Sequence, residues 1–167
     1  MNIEITPIQI SHIASFHKAV DTVAKERKYL PALEAPPLEG TSKFVQGNID
    51  NNQSQMVAMH SGEVVGWCDI LPRSDPVRLH VGVLGMGLLP DYRAQGLGRR
   101  LLTATLADAQ RQGFRRIELK VRASNAPAIH LYEKFGFVLE GTLKDDVLVD
   151  GQLDSTHCMA FFPNTER

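Results

Sequence analysis

Hydrophobic residues along the chain keep two rhythms, one of helical period and one of alternation, and the changes between them set out the elements. Ile13, Phe16, Val20, Val23 and Ala24 recur at helical spacing behind Ser11, which predicts a first helix capped by Ser11 and running to about Arg27. Ahead of it, residues 1–6 read as a strand closed by Pro7. Residues 29–37 hold three prolines among apolar bulk and suit neither helix nor strand, so they predict a loop; a weaker helical pattern follows over 38–49. Residues 55–60 and 63–71 alternate as two strands of a hairpin turning at Ser61-Gly62, and after the turn at 72–76 Val77 leads into a central strand. Alternation returns at 115–121, helical spacing at 125–135, and strand patterns at 138–143, 147–149 and 153–162, with a turn at Asp150-Gly151. Strand, two helices, antiparallel strands, helix, strand, helix and strands together predict a mixed α/β sheet in one domain over residues 1–167.

The pattern is richest at 84–98, Leu-Gly-Met-Gly-Leu-Leu-Pro-Asp-Tyr-Arg-Ala-Gln-Gly-Leu-Gly. Its apolar strand carries interleaved glycines that allow close approach, Pro90 ends the ladder, and Arg93-Ala94-Gln95-Gly96-Leu97-Gly98 opens a helix. Unpaired N–H groups and the positive end of the helix dipole converge there, an arrangement that binds phosphate. A dinucleotide fingerprint would need glycine where Leu101 stands, and no Gly-Lys-Ser/Thr of a Walker loop is present. A second signature lies in Asn125, Ala128, Leu131, Tyr132, Gly136 and Phe137, with Asn125 as helix cap and Pro127 in the first turn.

Taken in this order and spacing, the two signatures resemble those of the GNAT superfamily of acyl-CoA-dependent N-acetyltransferases, over residues 85–137. The resemblance implies a GNAT-type, mostly antiparallel central sheet flanked by helices, acetyl-CoA as cosubstrate, and a small-molecule or peptide amine as acceptor. It places the pyrophosphate at the N–H groups of Gln95, Gly96, Leu97, Gly98 and Arg99, with Arg93, Arg99 and Arg100 adding charge. The pantetheine arm falls to the main chain of Met86, Gly87 and Leu88, and Asn125 contacts coenzyme A. Tyr132 is implied as the acid that protonates the departing thiolate, its reference pKa of about 10 being tolerably matched to a thiol near 8.5. The fold without turnover, as a non-catalytic acyl-CoA sensor or interaction module, is the alternative.

Residues 84–89 hold no carboxylate, so a general base cannot be carried over from those GNAT branches that keep a Glu in this strand. Glu34, Asp69 and His80 are the candidates, each with an ordinary alternative as a surface or ion-pairing group. Glu34 also shares its apolar loop with Tyr29 and Leu33, and the resemblance brings this loop toward the Asp145, Asp146, Asp150 and Asp154 region, which would suit a cationic amine.

Composition narrows the classes further. A chain of 167 residues with 43% hydrophobic residues buries a core without staples, and a net charge of −1 gives no bulk attraction to nucleic acid or a membrane. The first residues lack the basic start of a secretory signal, and no apolar run is long enough for a span, so a cytoplasmic protein is expected, with a homodimer left open. Cys68 and Cys158 lie in apolar runs and read as buried free thiols outside any motif, and six histidines without paired spacing predict no metal site.

Overall fold

The computed structural model describes residues 2–163. Its strands are β1 (Glu4–Pro7), β2 (Ser54–His60), β3 (Glu63–Pro72), β4 (Val81–Leu88), β5 (Arg116–Arg122), β6 (Val138–Val149) and β7 (Gln152–Phe161); its helices are α1 (Ile13–Lys25), α2 (Leu38–Asp50), α3 (Leu97–Ala109) and α4 (Ala126–Lys134). The strands form a seven-stranded sheet in the order β1-β2-β3-β4-β5-β7-β6. Among the described pairings only β4 with β5 is parallel. The chain divides into two compact units: one runs to Leu71 and takes in Gly85–Gln112, the other holds Pro72–Leu84 and the chain from Gly113 onward, so that β4 changes unit at mid-strand.

In the first unit Ile8, Phe16, Ala19, Val23, Val45, Val57, Val64 and Trp67 form one buried cluster, which explains why α1 carries its apolar residues on a single stripe. Phe16 meets the Trp67 indole edge to face at 5.8 Å. A register shift at Ala58/Met59 brings Val64 into the same cluster as Trp67, although simple alternation would part them. The opposite face of β3 lies on α3, where the Thr105 hydroxyl donates to the Cys68 carbonyl at 3.4 Å and a Cβ on Gly66 would press on Leu88 and Leu101. In the second unit β5 pairs with β7 and β7 with β6. Tyr132 of α4 packs on Phe137, and Phe137 on Phe161.

Several local expectations shift. Ser11 caps nothing: Ile10–His12 forms a 3-10 turn, and α1 begins behind it. The central strand starts at Val81 instead of Val77, because the Asp75 carboxylate takes the Arg78 guanidinium at 2.5 Å in a turn that leaves Val77 76% exposed. The strand patterns at 138–143 and 147–149 belong to one strand, β6, whose register slips between Leu143 and Val147, where Asp145 takes φ +52°. Cys68 is fully buried, and burial raises its thiol far above the ordinary range, but Cys158 is only half-buried. Among the described residues no helix is long and apolar enough to cross a membrane.

Candidate functional site

The turn from β4 into α3 gathers backbone N–H donors that no helical bond uses. The Leu89 N–H closes β4 against the Val65 carbonyl at 2.9 Å, and a 3-10 turn over Pro90–Tyr92 follows. Ala94 (φ +60°) and Gly96 (φ +78°) then take left-handed backbone, Gly96 standing as N-cap of α3. Alternating hand in this way turns successive N–H groups toward one side and makes an anion-binding concavity. The first helical bond comes from Arg100 N–H to the Gly96 carbonyl at 3.2 Å, so the helix itself leaves the N–H groups of Leu97, Gly98 and Arg99 unpaired. A Cβ on Gly96 would meet nothing within 4 Å, which leaves open space at the mouth of the cradle. The Gln95 side chain donates to the Asp91 carbonyl at 2.8 Å, and Arg99 is exposed. The Arg100 guanidinium donates to the Ile3 carbonyl at 2.7 Å.

Arg93 is engaged elsewhere than at this mouth. Its guanidinium bonds both carboxylate oxygens of Glu26, at 2.8 and 2.6 Å, and also the Leu88 carbonyl. Next to it the Tyr92 hydroxyl is hydrogen-bonded to His60 Nδ1 at 2.6 Å. Sequence reasoning missed Glu26 and His60, since nothing local marks either as a partner of a loop so far along the chain.

β4 pairs with β5 over Val81, Gly82 and Val83 only. Met86, Gly87 and Leu88, the expected pantetheine contacts, are half-buried. The space a Cβ would take at Gly87 is filled by the Trp67 indole, so this glycine serves the core as well. Two residues along the same face of β3, Asp69 brings Oδ1 to within 3.4 Å of where a Gly85 Cβ would stand. No hydrogen bond or ion pair engages the Asp69 carboxylate among the described residues, and burial raises its pKa from 3.8 to about 7. Charge burial without a partner is costly, and a carboxylate poised near neutrality is suited to accept a proton.

The other candidate bases differ in setting. Glu34 is exposed in the 29–37 segment, which α1 holds through Asp21, accepting from the Ala35 N–H at 3.0 Å, and through His17, donating to the Pro36 carbonyl at 2.8 Å. His80 is exposed just before β4. Of the expected acidic group, Asp146 accepts from Thr156 at 2.6 Å and Asp154 from Ser124 at 2.5 Å. In the second unit Asn125 caps α4, its side-chain oxygen accepting from the Ala128 N–H at 3.3 Å, and Gly136 (φ +94°) ends that helix. Tyr132 is 6% exposed, its ring 5.7 Å from that of Phe137.

The Acetyltransferase (GNAT) family model matches residues 19–137. The L-amino acid N-acetyltransferase AaaT of Escherichia coli K12 is 35% identical over 107 residues, 64% of this chain and 66% of that protein, so the match spans just under two thirds of the relative. The alanine N-acetyltransferase of ribosomal protein bS18 from the same organism is 52% identical over 48 residues, 29% of this chain and 32% of that one. Among solved structures, yncA, a putative acetyltransferase from Salmonella typhimurium with its cofactor acetyl-CoA, superposes with a TM-score of 0.92 at 16% identity, covering 100% of this chain and 97% of that one. A GNAT-family acetyltransferase from Streptococcus pneumoniae gives 0.89 at 24% identity, covering 97% and 100%. At these identities the structural likeness speaks for the fold.

Proposed function

Because the chain belongs to the GNAT acetyltransferase family, we propose that it moves an acetyl group from acetyl-CoA to a primary amine by direct attack on the thioester. The observation that carries this reading is the cradle at 94–99: two left-handed residues and an open helix N-terminus fit the pyrophosphate of coenzyme A. The main chain of 86–88 takes the pantetheine arm, and one of its N–H groups steadies the oxyanion that forms as the amine nitrogen bonds to the carbonyl carbon. The C–S bond then breaks. Asp69 accepts a proton from the attacking nitrogen, and Tyr132 donates its phenolic proton to the leaving thiolate.

Asp69 is favoured over Glu34 and His80 because it is half-buried, with a carboxyl that burial raises to about 7, whereas the other two are exposed. No cysteine is invoked: burial holds the Cys68 thiol protonated at any working pH, so an acyl-enzyme on it is disfavoured. An amino acid or a protein N-terminal amine is the acceptor class supported by the relatives' activities. Incubation with acetyl-labelled acetyl-CoA and a panel of amino acids, polyamines and peptides tests the proposal, labelled amide being the expected product. Calorimetric binding of acetyl-CoA without transfer to any amine would favour the acyl-CoA sensor; absence of binding would refute both.

A further inference from the structure

Arg93 has the place in the loop, but not the freedom, of a phosphate ligand. Nε and Nη2 donate to the Leu88 carbonyl at 3.1 and 2.8 Å, while Nη1 and Nη2 donate to Glu26 at 2.8 and 2.6 Å. These bonds use four of the five N–H donors a guanidinium possesses. Its flat face lies 4.7 Å from the centroid of the Tyr29 ring. The two ion-paired side chains are 29% and 23% exposed, so the pair is shielded enough to hold one geometry.

The loop needs such a holder. Left-handed backbone at a residue with a Cβ, as at Ala94, costs about 1 kcal/mol, a strain that contacts holding the chain on either side can offset. We propose that Arg93 is a positioning residue of the cradle: by joining the carbonyl at the end of β4 to Glu26, just past the end of α1, it fixes the chain's exit into Ala94 and keeps the N–H groups converged. The hydrogen bond of Tyr92 to His60 fastens the preceding residue, so two successive residues anchor the turn. The inference rests on reading the cradle as a coenzyme A site.

Glu26 makes it testable, because the two roles for Arg93 predict opposite signs. If Arg93 gripped phosphate, Glu26→Gln would release the guanidinium and remove a negative charge, and the anionic ligand would bind tighter. If Arg93 positions the loop, the same substitution loosens the clamp and binding weakens. The experiment titrates coenzyme A calorimetrically into the full chain and into Glu26→Gln, Arg93→Lys, Arg93→Met and the Glu26→Gln/Arg93→Met double variant, at low and high salt.

The expected result is about tenfold weaker binding for Arg93→Met, a lesser loss for Glu26→Gln, and a double variant no worse than Arg93→Met, since the pair acts as one unit. Arg93→Lys should fail to restore affinity, because an ammonium keeps the charge but not the planar fork. The slope of affinity against salt should match the wild type in Arg93→Lys and in the double variant, which keep the net charge of the pair, as no phosphate contact is removed. Unchanged or tighter binding by Glu26→Gln, rescue by Arg93→Lys, or a flattened salt slope in the double variant would each overturn the proposal. Should Arg93→Met melt early, the isosteric Glu26→Gln still decides the sign. Failure of the wild type to bind coenzyme A would instead overturn the reading of the cradle, and this inference with it.

Discussion

Replacing Asp69 by Asn should make the protein more stable and less active. Burial lifts the carboxyl from 3.8 to about 7. Between those values the unfolded chain has lost this proton and the folded chain keeps it, so stability falls as pH rises at about 1.4 kcal/mol per pH unit. The loss is complete above pH 7 and amounts to roughly 4 kcal/mol, an upper figure for a half-buried group. Asp69→Asn escapes it. With roughly 2–4 °C per kcal/mol for a chain of this length, its melting temperature should exceed that of the wild type by several degrees at pH 8 and by little at pH 4. Scanning calorimetry of both proteins across pH isolates the effect, since every other titrating group cancels in the difference. Activity should move the opposite way: the wild-type kcat/KM gains a rising limb near pH 7, and the variant loses that limb together with about 10²-fold or more in rate. Melting curves that stay parallel from pH 4 to pH 8, or a limb that survives the substitution, would refute the assignment of Asp69 as a base perturbed by its half-buried setting.

Three further substitutions probe the remaining parts. Gly96→Asp puts a side chain on left-handed backbone and a negative charge at the cradle mouth, so calorimetry should find acetyl-CoA binding weakened by at least tenfold, and unchanged affinity would remove the phosphate from this turn. Tyr132→Phe keeps the ring against Phe137 but removes the hydroxyl, so turnover should fall about 10²-fold with acetyl-CoA affinity nearly unchanged; equal kcat, with chemistry rate-limiting, would leave Tyr132 a packing residue. Gly87→Ala drives a Cβ into the Trp67 indole and should cost about 1–3 kcal/mol, read as a lower urea midpoint at constant slope, whereas an unaltered midpoint would mean that the ring yields freely.

The caps and stops that carry a residue signature of their own could be read from the sequence around α4. The Asn125 cap and the Gly136 stop of α4 lie within one short stretch, and both stand where the sequence puts them. The beginning of β4 does not, because the alternative to a strand at Val77 is a turn held by the Asp75–Arg78 pair, and periodicity has no register for such a bond. The slip in β6 likewise looks, in sequence, like a break between two strands, since a bulge and a gap interrupt alternation in the same way. Arg93 marks the limit most clearly. Its motif position spoke for phosphate, but the carboxylate that claims it lies 67 residues earlier and has no motif of its own.

The three candidate bases show why a charged site resists a purely sequential reading. Glu34, Asp69 and His80 are all capable of taking a proton, and composition ranks none of them. Solvent ranks them, and solvent access follows from the sheet. Trp67 and Asp69 share a face of β3 because they are two residues apart, and on the adjoining β4 the spaces beside them belong to Gly87 and Gly85. An indole fills one of these spaces and a carboxylate leans on the other. The glycine pattern that in sequence promises room for a ligand is therefore occupied in part by the chain's own side chains. One consequence is that the hydrophobic packing of Trp67 and the perturbed carboxyl of Asp69 have a common origin. A strand without those glycines would push the ring and the carboxylate outward, and with water restored to it Asp69 would return toward its ordinary pKa, too weak a base for an amine.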